Sequence, residues 1–363
     1  MTTAATGRPL AAFWNQHAFS VGDTHFQWLD VAMAAMAHGD WPAFERRLTE
    51  GLACAAKADA EQTPPDDATV EAAAVAFRYE RDLISGEDLG SWLDHAGISV
   101  DEWMAWVRRD VLRRTWMGDV DELVDRFSPS PRQLEAAAVT EGICTGAFAT
   151  FERSFAGRAA ALFESDGELY PLDVGVPGAH DARAVRLARQ HAHWLAMRPE
   201  SERLSRLAAV IGLESRFAAL AEGLATPESL LQAVEVHRLD WVRLELETLT
   251  FANEDAAREA LLCVTADGLS LNDVAGLSRQ SVRRTHWFLQ DLPQTVQERL
   301  LSVPGGQACG PLEGADGRYE VSTVVSRIAP SLEDDLVAER ARREAVAHAC
   351  RRAARDLVRR RGD

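Results

Sequence analysis

At Asp240 the chain changes its period. Upstream, apolar residues recur mostly at helical spacing. From Trp241 the run "WVRLELETLTF" alternates instead, as a half-buried strand does. A period of two laid on a helix smears apolar groups around its circumference, so this switch demands a piece of sheet in a helical protein. After it come a helix start, "NEDAAREALLCV", an Asp267-Gly268 break, a short "SLNDVAGLS" helix capped by Ser270 and Asp273, and a strand-like "THWFL". A helix opens near Pro293. Then a Pro304-Gly305-Gly306 turn leads through a short apolar step to a second alternating run, "RYEVSTVVSRI". The fold class expected is mainly α with a C-terminal α+β domain, a small antiparallel sheet flanked by helices.

Upstream of the switch, local signals mark helix ends. Ser85 with Asp88 and Ser99 with Glu102 are placed to cap helices, and Ile98 and Trp103 are spaced as a hydrophobic staple. Ser130, Pro131 and Gln133 open another helix, and Thr226-Pro227 a further one. Residues 1–60 read as aromatic-rich helices, and "DAEQTPPDDA" (Asp59 to Ala68) as a loop. The domain reading is a helical N-terminal region over 1–163, a Gly/Pro-punctuated linker over 164–182, a helical segment over 183–239, the sheet domain over 240–330, and a basic C-terminal helix over 331–363. That last helix is expected to be solvated, or to dock on an acidic partner or on the N-terminal region.

Composition narrows the function. The net charge of −17 argues against bulk nucleic-acid binding. No apolar run approaches the ~20 residues of a membrane span, and the N-terminus lacks the pattern of a secretory signal, so a cytoplasmic location is expected. Cys54, Cys144, Cys263, Cys309 and Cys350 lie far apart without metal-ligand spacing, as reduced thiols do. Cys309, beside a turn with no obvious base, reads as a structural thiol. His191 and His193 stand two apart and would point to different faces of a helix, so no metal site is expected. The tryptophans fall mostly at core positions. No phosphate-binding loop, HExxH or GxSxG motif is present, and no cofactor is expected.

The phrases "ETLTFANEDAAREAL", "DVAGLS", "LPQTVQERLLSVPGGQACGPL" and "GRYEVSTVVSRIAPSLEDD" resemble those of parvulin-type peptidyl-prolyl isomerases and cover about a quarter of the chain. The wider layout resembles SurA-like chaperones: a helical N-terminal region, then the parvulin-like domain, then a terminal helix. It is also similar to parvulin-like proteins found beside ribosomally made peptides. The resemblance implies a peptide-binding protein whose partner is a precursor peptide or an unfolded polypeptide client, together with other peptide-maturation enzymes, and not nucleic acid or membrane.

Parvulins place two histidines on adjacent strands. By the resemblance these positions fall at Glu247 and Glu320, and the glycine loop expected near "RRTHWFLQD" is replaced by Arg284, Thr285, His286 and Trp287. Tyr319, His286, Trp287 and Phe288 are the implied peptide-binding residues. Two readings of the glutamates follow. If they face each other, like charges raise one pKa and the pair can do acid–base work. Otherwise one of them pairs with an arginine such as Arg318, Arg283 or Arg284, or simply faces water on an eroded site. The functional expectation is a chaperone-like peptide binder with an eroded isomerase site; the alternative is an active isomerase or a peptide-modifying enzyme using the same cleft.

Overall fold

The computed structural model describes residues 10–169, 182–196, 199–314 and 317–360. Most of the linker expected over 164–182 lies outside the described residues. Two compact units are present: Met1–Glu222 with Ala349–Asp363, and Gly223–His348.

The first unit is built from α1 (Leu10–Trp14), a hairpin of β1 (His17–Val21) and β2 (Thr24–Gln27), α2 (Trp28–His38) and α3 (Trp41–Glu61). Next come α4 (Asp67–Glu80), α5 (Gly86–Ala96), α6 (Val100–Thr115), α7 (Val120–Arg126), α8 (Pro131–Cys144) and α9 (Ala147–Asp166). After α10 (Ala182–Gln190) and the short α11 (Ala192–Leu195), α12 runs from Glu200 to Leu224. The capping signals act where the sequence places them. The hydroxyls of Ser85 and Ser99 accept from the backbone of Asp88 and Glu102, and those carboxylates accept in return from the serine N–H groups. Such caps contribute about 1 kcal/mol each. Gly97 ends α5 at φ 67°, and Ile98 and Trp103 then share a core with Val70, Phe77, Leu93 and Trp106. Trp14, Trp41 and Trp194 are fully buried, and Arg158 on α9 forms a buried ion pair with Glu214 on α12 at 2.8 Å.

The second unit opens with α13 (Pro227–Val236) and continues with β3 (Arg243–Phe251), α14 (Glu254–Thr265), α15 (Leu271–Ser278) and β4 (Arg283–Phe288). α16 (Gln294–Ser302), β5 (Ala308–Glu313), β6 (Tyr319–Ile328) and α17 (Asp335–Leu357), whose residues from Ala349 onward belong to the first unit, complete the order. The sheet is antiparallel throughout, in the order β4-β3-β6-β5. Both faces carry a core. On one, Leu249, Phe251 and Val321 pack with residues of α14 and α15; on the other, Leu244, Leu246 and Val324 pack with Leu300 of α16. This two-sided burial explains why Thr248 and Leu249, neighbours on one strand, are both buried.

The hairpin corrects the all-helical expectation for residues 1–60. "HAFSV" and "THFQ" alternate on either side of Gly22-Asp23, a two-residue turn signal. Gly22 has φ 56°, and a Cβ there would meet the Phe163 ring at 2.6 Å, so the turn requires glycine. Phe19 and Phe26 stack on each other and meet Phe155 of α9 edge-on. A last strand, β7 (Val358–Arg360), pairs with β1, so the helix expected over 331–363 begins only at Asp335 and gives way to strand after Leu357.

Candidate functional site

The register of β3 against β6 decides what the two glutamates do. Glu247 is opposite Thr323, whereas Glu320 is opposite Thr250. Because side chains alternate, positions 247 and 250 of β3 face opposite ways, and so do Glu247 and Glu320. The two carboxylates therefore do not share a site. Each is held by an arginine of β4: the Arg284 Nη2 donates to Glu247 Oε1 at 2.6 Å, and the Arg283 Nη2 to Glu320 Oε1 at 3.0 Å. The Arg284 guanidinium is held above its ordinary pKa by that hydrogen bond and by the charges of Glu247 and Glu245.

The face that carries Glu320 also carries Thr248, Thr250, Ser322 and Arg283. Thr248 and Ser322 are opposite each other, and their hydroxyls meet at 2.9 Å. A recess of about 570 Å³ opens here, lined by Thr248, Thr250, Gln280, Ser281, Arg283 and Arg318. The other face carries a polar strip: Glu245, Glu247, Arg284 and His286, with the Ser326 hydroxyl donating to Glu245 at 2.9 Å. The position that the resemblance gives, Glu247, is one residue from Thr248. That single step exchanges the two faces of the sheet.

The four implied peptide-binding residues do not gather on one surface. Tyr319, opposite Phe251, packs against the core beneath α14 and α15. Phe288 is buried with Trp241, Val337 and Ala341, and the Arg340 guanidinium lies 4.0 Å from its ring centre, so a peptide has no access to it. His286 and Trp287 are exposed, Trp287 by 45%, on opposite faces of β4. What these two share is the strand itself. β4 is an edge, its residues 283–287 are exposed apart from a half-buried Thr285, and its pairing with β3 is free of bulges. Among the described residues its outer N–H and C=O groups have no backbone partner. The opposite edge, β5, contains Pro311 and a register break between Cys309 and Leu312. Proline and irregular pairing protect an edge, so β4 is the open one.

Two clusters in the first unit escaped sequence reasoning. His191 and His193 both approach Glu45, correcting the expectation that they diverge. The helix breaks between α10 and α11, so continuous-helix spacing does not apply. His191 Nδ1 lies 3.9 Å and His193 Nε2 3.5 Å from the Glu45 carboxylate, which also accepts from Trp194 Nε1 at 3.1 Å. Burial pushes the His191 pKa below its usual value. The other cluster, His17, Ser20 and His25, lies on the β1–β2 hairpin; the Gly22-Asp23 turn was the signal that could have found it. Cys309 is buried, and burial pushes its thiol pKa up. Among the described residues no group of three or more His, Cys, Asp or Glu side chains is arranged to hold a metal, and no helix is long and apolar enough to cross a membrane.

No family model matches this chain, and no curated protein does. Among solved structures, the foldase protein PrsA from Streptococcus pneumoniae is similar at 13% identity and TM-score 0.27, over 54% of this chain and 75% of that one. PrsA from Lactococcus lactis is similar at 12% identity and TM-score 0.27, over 68% of this chain and 91% of that one. A structure of the SurA-like chaperones of Campylobacter jejuni matches at 11% identity and TM-score 0.20, over 60% of this chain and 89% of that one. Likenesses this faint leave the functional reading to the chain's own geometry.

Proposed function

We propose that this protein is a chaperone-like peptide binder of parvulin descent, and that its second unit receives an extended client by strand addition along β4. The observation that carries this is the open β4 edge. Strand addition supplies affinity through main-chain hydrogen bonds and takes specificity from the side chains that flank the edge. Here those are Arg283, Arg284, His286 and Trp287, which favour clients with acidic and aromatic residues. The client class is an unfolded or precursor polypeptide in the cytoplasm, with other peptide-maturation enzymes as partners. Prolyl isomerisation faces a barrier of ~18–20 kcal/mol. A groove that grips proline and favours the twisted amide is what lowers it, and Glu247 and Glu320, on opposite faces and each paired with an arginine, do not line one groove together.

A fluorescein-labelled peptide alternating valine with threonine and glutamate should bind the full chain with an anisotropy rise. The same peptide N-methylated at alternate residues on its pairing edge should bind at least tenfold more weakly. Equal binding of the two peptides would remove strand addition. The second reading, a working isomerase, draws on the recess beside Glu320. A protease-coupled assay on Xaa-Pro peptides decides it: an unchanged isomerisation rate leaves the binding role alone.

A further inference from the structure

The β1–β2 hairpin assembles a hydroxyl and two imidazoles that play no part in peptide binding by β4. Ser20 sits directly opposite His25, and its Oγ lies 2.7 Å from His25 Nδ1. The same Oγ lies 2.7 Å from His17 Nε2, brought onto this face by the register shift between His17 and Phe19. The two imidazoles stand edge to face, with centroids 5.8 Å apart, over a serine that is 8% exposed. On the far side of β1, the register partner of Ser20 is Arg359 of β7. The inner face of this sheet is closed by Phe19, Phe26 and Phe155, so these four polar residues share the outer one.

A hydroxyl has one proton. Between two neutral imidazoles it donates to one ring nitrogen and accepts from the N–H of the other. One histidine is thereby poised as base toward Ser20, and its neighbour fixes the direction of the chain. A hydroxyl within hydrogen-bond reach of an imidazole is the arrangement that activates a serine nucleophile.

We propose that Ser20, with His25 and His17, forms a nucleophilic site that accepts acyl groups from small activated esters. In the step, the Ser20 Oγ–C bond forms as the C–O bond to the alcohol or phenol breaks. The hydroxyl proton passes to the imidazole that accepts it and then to the departing oxyanion. Water later cleaves the acyl-serine, releasing the acid.

The test incubates the full chain with p-nitrophenyl acetate and follows p-nitrophenolate release together with mass spectrometry of the peptide containing Ser20. The expected result is one acetyl group on Ser20 in the folded protein, absent in Ser20→Ala and formed at least tenfold more slowly in the His17→Gln/His25→Gln double variant. Melting curves and circular dichroism of the variants separate loss of chemistry from loss of fold. If the double variant is unfolded, His25→Gln alone must still slow acetylation by at least threefold. Failure to acetylate Ser20 in the native chain, or equal rates in native and histidine variants, would overturn the proposal.

Discussion

The buried hydroxyl pair on the central strands offers a direct check of the register that separates the two glutamates. Thr248 and Ser322 are 3% and 1% exposed, and their hydroxyls are 2.9 Å apart. Thr248→Val keeps the shape and leaves the Ser322 hydroxyl without its partner. A buried polar group left unsatisfied costs about 1–3 kcal/mol, whereas removing both partners is nearly neutral. Ser322→Ala should cost a similar amount, and the double variant no more than the worse single. The coupling energy from the cycle is then about 1 kcal/mol or more. Hydrogen–deuterium exchange of the β3 amides reads the change, because it follows the free energy of opening this sheet. Each single variant should accelerate exchange roughly 5- to 150-fold, as about 1–3 kcal/mol implies. Were β3 shifted by one residue, Thr248 would leave its partner and its replacement by valine would cost almost nothing. Neutral single variants, or strictly additive ones, would refute the register and with it the separation of Glu247 from Glu320.

Three further outcomes follow from the first unit. His191 is held below its ordinary pKa, with burial as the largest cause, so the unfolded chain takes up a proton that the folded chain resists. Stability should therefore fall as pH drops below 6.5, the ordinary value, and continue falling until the folded pKa is reached. The urea midpoint of His191→Gln should vary less over that range than that of the native chain, and identical slopes would contradict the assignment. Glu214→Ala leaves the buried Arg158 guanidinium unpaired and should cost about 3–5 kcal/mol by urea titration; Arg158→Met with Glu214→Leu should recover most of that loss. Gly22→Ala places a Cβ against Phe163 at positive φ, and exchange of the β1 amides should rise by roughly tenfold or more, since strain of this kind costs about 1–3 kcal/mol.

How much was legible in the sequence depended on how local the signal is. The caps at Ser85, Ser99, Ser130 and Ser270 are set by residues three positions apart, and the helices start there. The sheet strands at Arg243 and Tyr319 announce themselves by alternation, whereas "THWFL" reads only as a short strand-like run. What the sequence could not supply was register. Glu247 and Thr248 differ by one position, and only the ladder to β6 shows which of them shares a face with Glu320. Phe288 reads as a pocket residue beside Trp287, but α13 and α17 supply the partners that bury it. The β1 strand gains its second neighbour from the far end of the chain, a pairing that no window around His17 contains. The histidines at 191 and 193 depend on a helix break that has no proline or glycine to mark it.

The central claim is that the outer edge of β4 takes up the client backbone. Hydrogen–deuterium exchange of the full chain, with and without a saturating concentration of the alternating peptide, tests it most directly. Strand addition predicts strong new protection at the amides of residues 283–288 whose N–H groups point away from β3, with the N-methylated peptide giving none. Saturable binding that leaves exchange in 283–288 unchanged would contradict it and move the client site elsewhere on the molecule.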